Sequence, residues 1–241
     1  MSTGSGDTAA GPGPLALVGS GEYLPVMTAI EGALIAGRAP RYVQLATAAA
    51  PEGEESLARW HALGREQAER LGVEQVVVDV RDRHDADDPA MAALVEGAGL
   101  VYLSGGNPSF LADTLRGTAV WQAIVAAHEA GAAVAGCSAG AMAMSDWAPR
   151  MRELRSDHPT GLGLVPHVRV IPHFDRMLAW VPDMLRNALL RLPEGTTLLG
   201  IDEDTALVGG PHEWEVQGRQ SVWVLGDGSR VEHRAGSRLT T

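Results

Sequence analysis

Ala132-Ala133-Val134-Ala135, a run of small apolar residues, leads directly into Gly136-Cys137-Ser138-Ala139-Gly140. This pattern predicts a buried strand that turns sharply into a helix, the arrangement known as a nucleophile elbow. Such a turn holds its central residue in strained backbone geometry, and flanking glycines remove the Cβ atoms that would clash. Ser138 would then stand at a helix N-terminus, where backbone N–H groups can stabilise an oxyanion. The alternative is a small-residue turn in which Ser138 only caps the helix.

Apolar runs of strand length alternate with helical periodicity along the rest of the chain. The predicted strands are 15–19, 42–46, 75–80, 100–103, 132–136, 167–171 and 197–201, and the predicted helices are 24–36, 54–71, 89–96, 109–116, 119–129 and 178–191. Because the strands show little polar alternation, we expect an α/β fold with a mostly parallel sheet sandwiched by helices. The short segments 206–209, 213–216 and 221–225 predict a C-terminal antiparallel meander at the sheet edge.

Composition limits the classes of protein to consider. The 241 residues carry a formal net charge of −11, which argues against nucleic acid and anionic membranes as partners. A single cysteine fits a reducing compartment, and no apolar run is long enough for a membrane span, so we expect a cytoplasmic protein. Residues 1–14, rich in Gly, Ser, Thr and Pro, predict a flexible tail and not a signal peptide, followed by one α/β domain over 15–241.

Polar residues follow two further predicted strands. In open α/β sheets, catalytic groups gather at the carboxyl ends of strands. His173 follows the strand 167–171, and Asp202-Glu203-Asp204 follows the strand 197–201. A serine, a histidine and an acid at three strand ends can supply a nucleophile, a general base and an orienting carboxylate. The residues alone leave open which of the three acids takes part. Asp146 and Glu153 are further candidates for the acid, and His158 is an alternative base.

Two glycine-containing loops follow other strands. Ser104-Gly105-Gly106-Asn107-Pro108 comes after the strand 100–103, so the N–H groups of Gly105 and Gly106, with that of Ala139, can form an oxyanion hole. The alternative is a turn before a helix that is capped by Asn107 or Ser109. Gly19-Ser20-Gly21-Glu22 lacks the third spaced glycine of a nucleotide-binding loop and the consecutive Lys-Ser/Thr pair that ends a phosphate loop, so it predicts a turn at the edge of the active site.

Four segments in order, 104–108, 136–141, 171–174 and 200–207, together resemble the dipeptidase E and cyanophycinase family of serine peptidases. The resemblance covers the chain from about residue 15 to its end. It implies a class I glutamine-amidotransferase-like fold with Ser138 as nucleophile, His173 as base and Glu203 as the third member. It also implies an exopeptidase for small peptides or isopeptides, either aspartyl dipeptides as in dipeptidase E or β-aspartyl-arginine as in cyanophycinase.

The remaining candidates concern specificity and alternative chemistry. Arg150 and Arg152, with Asn107, are candidates for binding the substrate, because a guanidinium can hold a carboxylate through two parallel hydrogen bonds. Cys137 would be the nucleophile of a glutamine amidotransferase, but the glycines centre the turn on Ser138 and predict a buried, inert thiol. No His/Cys spacing matches a structural zinc site, so we expect no metal and no cofactor.

We expect a small peptide as the binding partner. The sequence is compatible with a homodimer. A non-catalytic or amidotransferase-like member of the same superfamily, acting in binding or regulation, is the alternative function.

Overall fold

The computed structural model describes residues 11–149, 160–177, 192–226 and 229–241. Its strands form two sheets. In chain order the strands are β1 Leu15–Val18, β2 Arg41–Leu45, β3 Glu74–Val77, β4 Leu100–Leu103, β5 Ala133–Cys137, β6 Val168–Ile171, β7 Thr197–Ile201, β8 Thr205–Gly209, β9 Glu213–Gly218, β10 Ser221–Gly226, β11 Ser229–Arg234 and β12 Arg238–Thr240.

The larger sheet has eight strands in the order β12-β9-β8-β1-β5-β4-β2-β3. Strands β1, β5, β4, β2 and β3 run parallel, while β8, β9 and β12 form an antiparallel edge. Gly136 of β5 pairs with Leu17 of β1 on one side and with Leu103 of β4 on the other. The loops that follow β1, β5 and β4 are therefore neighbours at the carboxyl edge of the sheet.

The smaller sheet has the order β11-β10-β7-β6 and holds the two strands that lead to His173 and Glu203. β6 and β7 are parallel, and β10 is antiparallel to both β7 and β11. The C-terminal strands are antiparallel as expected, but they are divided between the two sheets. β8, β9 and β12 extend the larger sheet, whereas β10 and β11 extend the smaller one. The sequence did not predict β11, because most of its side chains are polar and exposed.

Helices cover both faces of the larger sheet. Their bounds are α1 Thr28–Ile35, α2 Glu54–Leu71, α3 Arg83–Ala86, α4 Pro89–Ala93, α5 Pro108–Leu115, α6 Ala119–Glu129, α7 Ala139–Met144 and α8 Phe174–Met177. Alternate strand residues point to opposite faces. Leu17 of β1 therefore packs in one core cluster with Ile124 of α6, while Val18 packs in another with Leu34 of α1. This confirms the α/β class and the sheet sandwiched by helices.

The predicted helix over 24–36 is shorter in the structure, since a 3-10 turn, Pro25–Met27, precedes α1. Pro25 disfavours helical geometry at the preceding residue, and Leu24 is accordingly extended, so the helical segment begins only at residue 25. The predicted helix over 178–191 lies outside the described residues. None of the helices that the structure describes is long and apolar enough to cross a membrane.

Candidate active site

Ser138 lies between the end of β5 and the first residue of α7. Its backbone angles, φ 49° and ψ −106°, are in a region that non-glycine residues rarely adopt. A Cβ atom on Gly136 would lie 2.5 Å from the carbonyl carbon of Gly140, and one on Gly140 would overlap the carbonyl oxygen of Leu103. The small residues are therefore required by close backbone approach, as a nucleophile elbow demands.

We expect Gly140→Ala to lower the free energy of unfolding by about 3 kcal/mol, because β4 or α7 must shift to admit the methyl group. Gly32→Ala is the matched control, since its Cβ would meet only Leu71 Cδ2 at an ordinary 3.5 Å inside α1. Removing a helical glycine should stabilise the protein by about 0.5 to 1 kcal/mol. Urea unfolding followed by circular dichroism measures both changes. An unchanged stability of Gly140→Ala would contradict the close approach of α7 to β4.

The structure brings Ser138, His173 and Glu203 together in a hydrogen-bonded chain. His173 Nε2 lies 3.1 Å from Ser138 Oγ, and His173 Nδ1 lies 3.0 Å from Glu203 Oε1. This geometry fits a serine hydroxyl that donates to Nε2 and an Nδ1–H that donates to the carboxylate. Arg176 Nε contacts the other carboxylate oxygen, Oε2, at 3.0 Å. Each carboxylate oxygen of Glu203 therefore has a partner, His173 at Oε1 and Arg176 at Oε2.

The other two acids of the loop have different partners. Asp202 accepts hydrogen bonds from Trp223 Nε1 and from the backbone N–H of Ser221, and burial raises its pKa. Asp204 pairs with Arg219 at 3.3 Å. Among the three carboxylates of this loop, Glu203 is therefore the one that contacts His173. The further candidate Asp146 pairs with Arg169 at 3.5 Å. Glu153 and the alternative base His158 lie outside the described residues.

The oxyanion loop, which we define as residues 104–107, follows β4 and lies beside the elbow. The N–H groups of Gly106 and Ala139 have no acceptor in the described part of the chain, which leaves both free for a substrate oxygen. Gly105 differs, because its N–H donates to Glu22 Oε1 at 3.1 Å. This corrects the prediction that Gly105 is an oxyanion donor, whereas Gly106 and Ala139 stay predicted donors.

The predicted substrate-binding residues have different outcomes. Asn107 is the N-cap of α5, where its Oδ1 accepts hydrogen bonds from the Phe110 N–H and the Ser109 hydroxyl, both at 3.0 Å. Its side-chain oxygen is therefore engaged in the helix cap, and Asn107 stays a predicted substrate-binding residue through its amide NH₂. Arg150 and Arg152 lie outside the described residues.

Cys137 is fully buried in the core cluster that also contains Val18 and Tyr23. Burial, followed by the nearby charge of Glu22, raises the pKa of the thiol well above its usual value. The neutral thiol donates a hydrogen bond to Glu22 Oε2, with the sulfur and oxygen 2.7 Å apart. A thiol that is buried and protonated is a poor nucleophile, so the structure does not favour amidotransferase chemistry at this residue.

Sequence reasoning assigned no role to Glu22, which contacts both Gly105 and Cys137. Its place in the loop after β1 was a usable signal, because β1 ends at the same sheet edge as β4 and β5. Among the described residues, no group of three or more His, Cys, Asp or Glu side chains is arranged to hold a metal ion.

Comparison with known proteins identifies relatives of this chain. The cyanophycinases of Trichormus variabilis and Nostoc sp. are each 31% identical to it over 183 residues, which cover 68% of this chain and 57% of theirs. The chain thus spans little more than half the length of these curated relatives. The crystal structure of a peptidase from an acI-B1 Actinobacterium is 43% identical and superposes with a TM-score of 0.88, covering 95% of this chain and 97% of that one.

A family model agrees with these similarities. Residues 19–215 match the model described as Peptidase family S51, a range that contains the elbow, His173 and Glu203. The match extends over most of the chain and includes every strand that carries a candidate catalytic residue. The chain therefore belongs to peptidase family S51.

Proposed function

We propose that this protein is a serine exopeptidase that hydrolyses small peptides or isopeptides containing an aspartyl residue. The observation that carries the proposal is the hydrogen-bonded chain from Ser138 Oγ through His173 to Glu203. Membership in peptidase family S51 supports the same class of activity. The half-buried Ser138 stands beside an exposed Gly106, so a substrate carbonyl can reach both the hydroxyl and a free N–H group.

In the proposed mechanism, Ser138 Oγ attacks the scissile carbonyl carbon while His173 Nε2 accepts the hydroxyl proton. The negative charge on the tetrahedral intermediate is stabilised by the N–H groups of Gly106 and Ala139. The imidazolium then protonates the leaving amine, the C–N bond breaks, and an ester to Ser138 remains. A water molecule, deprotonated by His173, cleaves this ester and restores the free serine.

The aspartyl specificity rests on likeness to relatives. The chain resembles dipeptidase E in its Pro172-His173-Phe174 segment, and two relatives at 31% identity are cyanophycinases. Both classes of substrate have a free carboxylate on the aspartyl residue whose amide bond is cleaved. It is the side-chain carboxylate in Asp-X and the α-carboxylate in β-aspartyl-arginine. We therefore propose Asp-X dipeptides and β-aspartyl-arginine as the two substrate classes to compare.

A library of dipeptides and isopeptides tests this function. Asp-X, Asn-X, Glu-X and β-Asp-Arg compounds would be incubated with the protein, and released amino acids quantified by mass spectrometry. We expect one aspartyl class to be cleaved at least tenfold faster than its asparaginyl counterpart, because the carboxylate is the group recognised. An absence of all cleavage, together with no fluorophosphonate labelling of Ser138, would instead favour a non-catalytic binding protein.

A further inference from the structure

Glu22 joins the three neighbouring strand ends at the active-site edge. It follows β1, and its carboxylate crosses the end of β5 to reach the loop after β4. Oε2 accepts the hydrogen bond from Cys137, the residue before the nucleophile, at 2.7 Å. Oε1 accepts the N–H of Gly105, the residue before the free donor Gly106, at 3.1 Å. One side chain thus connects the elbow to the oxyanion loop.

Gly105 lies close to the Glu22 carboxylate, which a side chain at this position would have to displace. A Cβ atom on Gly105 would lie 2.6 Å from Glu22 Oε1 and 3.7 Å from Ser138 Cβ. Gly105 is therefore held between the Glu22 carboxylate and the nucleophile. Because the next peptide carries the Gly106 N–H, the position of Gly105 determines where that donor points.

Tyr23 strengthens the same connection. Its hydroxyl lies 2.6 Å from Ser104 Oγ, so two consecutive residues, Glu22 and Tyr23, bind two consecutive residues of the oxyanion loop. Tyr23 is buried, and Arg70 donates a hydrogen bond to its carbonyl oxygen. The residue that follows Glu22 is therefore anchored at both its hydroxyl and its carbonyl oxygen.

Backbone strain also marks this segment. The non-glycine residues with positive φ in the described chain are Ser138 (49°), His173 (51°), Asp204 (55°) and Tyr23 (63°). The first two belong to the proposed catalytic chain, and Asp204 adjoins Glu203. Such strain persists only where surrounding contacts enforce it, and it concentrates at functional sites. Tyr23 directly follows Glu22 in the sequence, just as Asp204 directly follows Glu203.

We propose that Glu22 is a positioning residue that fixes the Gly106 N–H relative to Ser138, an inference that rests on the proposed function. No cationic side chain contacts Glu22 within the described residues, so its two hydrogen bonds to neutral donors are its principal contacts. Hydrogen bonds to an ionised carboxylate are stronger than those between neutral groups. The carboxylate can therefore hold the two loops in one geometry through the catalytic cycle.

The test compares kcat and KM of Glu22→Ala, Glu22→Gln and Cys137→Ser on the best substrate from the library. A misplaced oxyanion donor acts only in the transition state, so Glu22→Ala should lower kcat about 100-fold and leave KM within twofold. Glu22→Gln keeps an oxygen acceptor for Gly105 and should recover at least a tenth of the wild-type kcat. Cys137→Ser keeps a hydrogen-bond donor to Glu22 and should retain more than a third of the wild-type kcat. Glu129→Ala, at the far end of α6, controls for loss of an exposed carboxylate.

A transition-state analogue separates positioning from general destabilisation. A peptide aldehyde forms a hemiacetal oxyanion with the serine, so its affinity should fall in Glu22→Ala by the same factor as kcat/KM. The affinity for the cleaved amino acid product should not change. A wild-type kcat in Glu22→Ala overturns the proposal, and a raised KM with unchanged kcat would show direct substrate binding instead. Failure of the proposed function would give a different result from failure of this proposal, because the wild-type protein itself would then be inactive on every substrate in the library.

Discussion

Replacing Ser138 by alanine is expected to reduce kcat for the best peptide substrate by about 10⁴- to 10⁶-fold. The hydroxyl oxygen 3.1 Å from His173 Nε2 is the nucleophile of the proposed mechanism, and no other group in the described site occupies its place. Residual turnover would come from the oxyanion donors and from binding, which by themselves give about 10³- to 10⁴-fold over water. The measurement is steady-state kinetics on purified variant and wild-type protein.

Cys137 supplies the decisive comparison for this result. Because the thiol is buried and faces Glu22, Cys137→Ala should be labelled by a fluorophosphonate at Ser138, whereas Ser138→Ala should not be labelled. Circular dichroism would check that both variants are folded. Full hydrolysis by Ser138→Ala, with loss of activity in Cys137→Ala, would contradict the serine mechanism and favour a thiol enzyme.

The parts of the site that lie at strand ends could be located from sequence. Ser138, His173 and Glu203 each follow an apolar run, and the carboxyl-edge rule places such residues together without knowledge of the strand order. The residues alone did not distinguish Glu203 from Asp202 and Asp204. That choice depends on Trp223, which binds Asp202, and on Arg219, which pairs with Asp204, and both come from a different strand and turn. Local pattern carries no information on such partners.

The contacts of Glu22 needed the three-dimensional order of the strands. Glu22 is far from Gly105 and Cys137 in sequence, and only the arrangement β1-β5-β4 brings their loops side by side. For the same reason the sequence wrongly predicted that the Gly105 N–H is free, since its acceptor Glu22 comes from the loop after β1. The division of the C-terminal strands was also out of reach, because the short run of β10 does not indicate that it pairs with β7.

The second large effect is expected for Glu203→Gln, which should lower kcat about 10⁴-fold. Arg176 Nε forms an ion pair with Oε2 at 3.0 Å, so the carbonyl oxygen of the new amide is favoured on the side of the guanidinium. The amide NH₂ must then face His173 Nδ1 and donate to it. This stabilises the tautomer that carries its proton on Nε2, and such a ring cannot accept the proton of Ser138.

A variant of Arg176 distinguishes an effect on the His173 tautomer from the simple loss of negative charge at residue 203. In the double variant Glu203→Gln/Arg176→Ala the amide can turn its oxygen towards Nδ1, so we expect kcat to rise at least fivefold over the single variant. Asp204→Asn is the matched control: it removes a neighbouring carboxylate that contacts Arg219 and not His173, and asparagine tolerates its positive φ. Equal losses in Glu203→Gln and Asp204→Asn would show that the loop needs negative charge without a specific orienting acid. A loss confined to Glu203→Gln, partly reversed by removing Arg176, ties the activity to the tautomer of His173.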